Sequence, residues 1–166
     1  MKSIDHPKSH NGTQQTNHYL KLFAMIVLSY ISMFILMYAM VDSMPNVVIN
    51  INQFYMAGLM AAPMVVIELV LMWGMYPNKK LNIGIISASM IVLIVCFMAI
   101  RQQTGVGDRQ FIKSMIPHHA AAILMVEKAS ITDPDLKALA DGIISTQQQE
   151  IERMKAKLQE LEKQMK

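Results

Sequence analysis

The sequence predicts an all-α protein: three transmembrane helices followed by an extramembrane, antiparallel helical hairpin. Three observations carry this. Hydrophobic residues make up 53% of the 166-residue chain and charged residues only 16%, against about 25% charged in an ordinary soluble domain. The apolar residues are gathered into three long runs between residues 22 and 100. After residue 101 the composition is mixed and takes on the helical period, with a clear stop and restart.

Residues 1–21 form a polar N-terminal tail that includes His6, His10 and His18. So polar a segment is expected to be disordered, and its histidines to bind metal loosely at most. The spans occupy residues 22–100: "LFAMIVLSYISMFILMYAMV" (22–41), "FYMAGLMAAPMVVIELVLMWGMY" (54–76) and "LNIGIISASMIVLIVCFMAI" (81–100). Each is about 20 residues long, enough to cross ~30 Å of hydrocarbon. Glu68 is the one charge within them, and a carboxylate in mid-membrane must face protein, water or a partner. Lys2, Lys8 and Lys21 precede the first span, the loop "DSMPNVVININQ" has no Lys or Arg, and "PNKK" brings Lys79 and Lys80. By the positive-inside rule the N-terminus and "PNKK" are cytoplasmic, and the first loop and everything beyond Ile100 lie outside. Arg101, Arg109 and Lys113 pull mildly the other way. In a bacterium this is an inner-membrane protein with a periplasmic C-terminal part. The net charge of +3 is spread over tails and loops, so nucleic acid is not an expected partner. Cys96 is the single cysteine, which excludes an intramolecular disulfide.

Residues 101–107, "RQQTGVG", read as a linker, and 108–166 as the hairpin. Asp108 is a candidate N-cap for the first hairpin helix. Phe111, Met115, His118, Ala122 and Met125 recur at spacings of four and three, and His119 borders that stripe. "ITDPDL" restarts the chain: Thr132 or Asp133 caps, Pro134 suits the first helical position, and Asp135 favours the positive end of the dipole. The second helix carries a heptad seam through Ala140, Ile144, Gln147, Ile151, Met154, Leu158, Leu161 and Met165. Glu150, Glu152, Lys155 and Lys157 read as its solvated side. The seam outruns the first helix, so its end is expected to meet the linker and membrane surface, or a second copy in a homo-oligomer.

Met115, His118, His119 and Met125 on the first hairpin helix, with Met154 opposite, are the candidate metal ligands. Thioether and imidazole select soft ions, Cu(I) and its mimic Ag(I), over Mg or Ca. Pro117 removes one helical N–H and frees the Lys113 carbonyl, so a kink there is expected to turn Met115 toward the histidines. Neighbouring residues on a regular helix point about 100° apart, so His118 and His119 reach one ion only with distortion; otherwise they serve two ions, or one orients the other's site. The competing reading of every one of these methionines is packing.

The segments "DRQFIKSMIPHHAAAILMVEKA" and "DPDLKALADGIISTQQQEIERMK" resemble the bacterial family known as domain of unknown function 305. The matching features are a Met, a His-His pair and a second Met (Met115, His118–His119, Met125), then Gln147–Glu150–Ile151–Met154. The resemblance spans roughly Asp108 to Lys157. It implies a ferritin-like helical hairpin and copper binding by these Met and His residues, as in periplasmic copper-binding and copper-resistance proteins.

The chain holds 17 methionines. Met33, Met37, Met40 and Met44 step along the first span, and Met56, Met60 and Met64 along the second toward Glu68. A sulfur-lined Cu(I) route is one reading; flexible apolar filler is the simpler one. No nucleophile–base pair, phosphate loop or paired-carboxylate site appears, so no enzyme is expected. The function expected is membrane-anchored Cu(I)/Ag(I) binding for copper handling or tolerance. The alternative is a membrane-anchored helical interaction module without a metal role.

Overall fold

The computed structural model describes residues 10–164, with side chains from Asn17 onward. Lys2, His6, Lys8 and Met165 lie outside the described residues, as does the side chain of His10. The described residues form five α-helices: α1 (His10–Leu36), α2 (Ile51–Leu71), α3 (Lys79–Gln102), α4 (Asp108–Lys128) and α5 (Pro134–Lys163). Two 3-10 turns, Met37–Met40 and Met44–Asn46, lie between α1 and α2. No strand occurs among the described residues.

Three stretches are long and apolar enough to cross a membrane: Asn17–Met40, Ile51–Leu71 and Lys79–Gln102. Residues 10–21, expected to be disordered, are helical and continue into the first of these. The chain divides into two compact units.

The first unit comprises residues up to Met33 together with Ala57–Phe97. Its centre is α2, which buries Ala57, Gly58, Ala61, Ala62, Val65 and Leu69. Small residues on this face let helices approach closely. A Cβ on Gly58 would lie 2.8 Å from Cys96 Sγ of α3. At one end, Leu22, Val65, Leu69 and Tyr76 form a small core. There Tyr19 donates to Asn82 Oδ1 at 2.7 Å, and Asn82 Nδ2 donates to the Tyr76 carbonyl at 2.9 Å. Asn82 is fully buried, and this pairing satisfies it. Tyr76 reaches Glu68 Oε1 at 3.4 Å. Because α2 stops at Leu71, Glu68 stands in the last turn of its helix.

The second unit comprises Phe34–Met56 and Met98–Lys166. Its core is Ile112, Ile116, Ala120 and Ile123 of α4 with Ile151 of α5. Ile144, Met154, Leu158 and Leu161 of α5 pack against it, which is the heptad seam read from sequence. Val41 and Val48, from the first interhelical loop, pack there too. The hairpin therefore does not stand alone, because the loop after α1 completes its core. Gln110 of α4 accepts from the Ile51 backbone N–H at 3.1 Å, capping an orphan donor at the start of α2.

α3 runs two residues into the expected linker and closes with a Schellman motif. Thr104 N–H donates to the Ala99 carbonyl and Gln103 N–H to that of Ile100, with Gln103 at φ 51°. Gly107 is the N-cap of α4 and no side chain caps it; Asp108, expected to cap, is the first helical residue and acts on the dipole instead. Asp133 caps α5 as expected, accepting from Leu136 N–H at 2.9 Å, with Pro134 next. α5 outruns α4, and its Glu162 lies 3.9 Å from Arg109 and 3.7 Å from Lys113.

Candidate metal centre

α4 carries Pro117 in its interior yet remains one helix from Asp108 to Lys128. Pro117 is buried, and the helix absorbs the lost hydrogen bond. The turn around it places the His119 ring back over its own helix, with Nδ1 3.0 Å from the Met115 carbonyl oxygen. Since a carbonyl only accepts, Nδ1 bears the hydrogen. Nε2 then points across to α5, where Glu150 Oε2 lies 2.8 Å away. An ionised carboxylate also only accepts, so a proton sits between Nε2 and Oε2, on one or the other.

This pair stands in an open groove of about 750 Å³ between α4 and α5. Met115 and Met154 line the same groove, with Phe111 and Ile112 on the apolar side and Arg153 and Lys157 at the rim. Three of the five expected ligands thus line one groove: Met115, His119 and Met154. Glu150, read as part of the solvated side, joins them as a half-buried partner of His119. The other two expected ligands lie elsewhere. His118 is exposed, its ring centroid 6.2 Å from that of His119. Met125 is 54% exposed and does not line the groove.

The reason lies in helix geometry. Each residue turns an α-helix by about 100°. The line Phe111–His118–Met125 therefore lies round α4 from the side packed on α5, with Phe111 and Met125 equally exposed at its two ends. The buried line of α4 is its neighbour, Ile112–Ile116–Ala120–Ile123. Of the four expected ligands on α4, Met115 and His119, which lie between the two lines, reach the groove.

The donor set can be tested against the metal the sequence pointed to. Among the described residues, no three His, Cys, Asp or Glu side chains come together to hold an ion. A site here must therefore use its thioethers, and two thioethers with one imidazole form a soft set. With Nδ1 against the Met115 carbonyl, Nε2 is the ring nitrogen turned to the groove, where Glu150 is its present partner. The histidines of the N-terminal segment add nothing described to this centre: His18 stacks edge-on against Tyr76. The methionines of the spans do not form one track either. α1 ends at Leu36, so Met37, Met40 and Met44 leave its α-helical face, and Met56, Met60 and Met64 lie on the exposed side of α2.

Residues 99–165 match the family described as "Domain of unknown function (DUF305)". A protein of Acanthamoeba polyphaga mimivirus, "Uncharacterized protein L153", is 36% identical over 143 residues, 85% of this chain and 90% of that one. An alignment of that length reaches beyond the hairpin into the apolar helices before it. No solved structure matches the chain. Glu150 falls inside the Gln147–Glu150–Ile151–Met154 segment, so the signal that would have marked it was present in the motif itself. The chain belongs to the family of the domain of unknown function (DUF305).

Proposed function

We propose that this protein is membrane-anchored and binds Cu(I), with Ag(I) as its mimic, in the groove between α4 and α5, in the service of copper handling or tolerance. The observation that carries the proposal is the convergence of Met115, His119 and Met154 on one groove. In this reading the two thioethers and His119 Nε2 are the ligands. Glu150 balances the charge of the ion in place of the proton it now shares with His119. The hairpin lies on the side of the membrane away from the cytoplasm, the periplasm in a bacterial cell. The loop bare of Lys and Arg and the Lys79–Lys80 pair support that orientation.

The test is an Ag(I) titration of the full-length chain in detergent, parent against the Met115→Leu/Met154→Leu variant. Leu conserves volume, and such exchanges cost under about 1.5 kcal/mol each. Affinity is expected to drop at least tenfold while the circular-dichroism melt changes little. A variant that binds Ag(I) as tightly as the parent removes the groove from consideration.

A further inference from the structure

The charges of the span unit gather at one end. Among its described residues the lysines are Lys21, Lys79 and Lys80, there is no arginine, and Glu68 is the one carboxylate. The fold brings the lysines together from α1 and α3. Tyr19, two residues before Lys21, has its hydroxyl 3.3 Å from the Asn78 carbonyl oxygen and 2.7 Å from Asn82 Oδ1, and Asn78 directly precedes Lys79 and Lys80. Leu22, next to Lys21, is buried in one core with Tyr76.

The three lysines do not share a role. Lys79 is engaged within the protein. Its Nζ donates to the Trp73 and Tyr76 carbonyls, in the turn that follows α2, and stands 4.6 Å over the Trp73 ring. Lys21 and Lys80 are exposed, and neither pairs with a carboxylate among the described residues. Glu68 is held by the Tyr76 hydroxyl at 3.4 Å instead. The neighbours of the two free lysines are bulky, apolar and also exposed. Leu20 and Phe23, 62% and 63% exposed, lie beside Lys21, and Leu81, 42% exposed, follows Lys80. Trp73 is exposed at the same end. Apolar surface with lysines and an aromatic at its rim is the order of groups at a membrane boundary, where the lysine stem lies on hydrocarbon and the ammonium reaches the headgroups.

We propose that this end of the span unit binds an anionic phospholipid, its phosphate facing Lys21 and Lys80 and its acyl chains lying on the exposed apolar residues beside them. Two ammonium groups without a carboxylate of their own complement a negative headgroup. A zwitterionic headgroup brings its own cation toward them. A free phosphate ion meets the ammonium groups but leaves Leu20, Phe23 and Leu81 without a partner. In the orientation proposed above this is the cytoplasmic end, where anionic lipids make the leaflet negative. The proposal rests on the membrane anchoring and on none of the groove residues, so the metal reading and this one can fail separately.

Trp73 is the single tryptophan and supplies the probe. The full-length chain in detergent is titrated with phosphatidylglycerol or phosphatidylcholine carrying brominated acyl chains, and quenching of Trp73 emission is followed. Half-quenching is expected at a mole fraction of phosphatidylglycerol about fivefold or more below that of phosphatidylcholine, the size of effect expected of one lysine at a charged headgroup. Lys21→Gln with Lys80→Gln is expected to abolish the preference and leave the circular-dichroism melt unchanged, and Lys21→Arg with Lys80→Arg to keep it. Lys113→Gln, in the hairpin, is expected to keep it as well. Equal quenching by the two lipids overturns the proposal, as does a Gln double variant with the parent's preference. Loss of the preference in the Arg double variant or in Lys113→Gln also overturns it, by removing the charge of these two lysines as the cause. Inorganic phosphate that cancels the preference at the same concentration as the lipid assigns the lysines to a free anion and overturns the lipid assignment.

Discussion

His119 is the residue on which the chemistry of the groove turns. Its Nδ1 is held by a backbone carbonyl and its Nε2 faces a carboxylate, so a proton and a metal ion compete for one position. The sign follows directly. Lowering the pH adds protons, the proton displaces the ion, and affinity falls. Ag(I) affinity of the groove is therefore expected to weaken as the pH is lowered. Affinity that does not change with pH would leave the thioethers as the only ligands, since they bind no proton in water. Glu150 can be separated from His119 by Glu150→Gln, which retains an acceptor for Nε2 but removes the negative charge. Loss of such a supporting group ordinarily costs about tenfold or more in affinity. A weakening of that order is expected in the same Ag(I) titration, and unchanged binding would reduce Glu150 to a packing role.

At the scale of the helix, α4 shows why periodicity alone misassigned a face. Between Ser114 and Val126 the helix has no charged side chain, so two adjacent stripes fit the period equally well. The one through Phe111, Met115, His118, Ala122 and Met125 was read as the inner face. The one buried is Ile112, Ile116, Ala120 and Ile123. Branched isoleucines on that line fill the space between α5 and the first loop. α5 posed no such ambiguity, because Glu, Gln and Lys surround its seam and leave one apolar line. Its start was equally plain, since "TDPD" states the cap, the proline and the acidic first turn together. Asp133→Ala removes the acceptor for Leu136 N–H and is expected to destabilise α5 by about 1 kcal/mol. A thermal melt of the variant that superimposes on the parent's would show that the cap contributes nothing to α5.

For the whole molecule, the three long apolar helices and the hairpin obey different packing rules. In the span unit the close contacts come from small residues on α2, where Gly58 meets Cys96 of α3. Gly58→Ala is expected to destabilise this unit by about 1–3 kcal/mol through overpacking. Adding Cys96→Ala should restore most of the loss, because it removes the atom that the new Cβ would strike. Equal unfolding temperatures for the parent and Gly58→Ala in detergent would show that the contact is slack. Topology is the other property of the whole chain. A reporter active only outside the cytoplasm is expected to work when fused after Lys166 and to fail when inserted at Asn78. The opposite pattern would turn the hairpin toward the cytoplasm and undo its extracytoplasmic assignment.

The sequence by itself determined the helices. Runs of apolar residues, a proline after an aspartate and a heptad line are local signals, and local signals suffice for elements whose hydrogen bonds are all internal. The identity of the groove's soft donors was legible for the same reason, since Met115, His119 and Met154 all belong to helical stripes. What only the tertiary structure decided is which stripe faces which neighbour. That choice separated His118 and Met125 from His119, brought Glu150 in from the solvated side, and moved Glu68 to the end of its helix. It also joined Val41 and Val48 to a hairpin some 60 residues further along the chain. Such contacts depend on how the space between helices is filled. Spacing along one helix does not contain that information, because a helix apolar on more than one side can be buried by more than one rotation about its own axis.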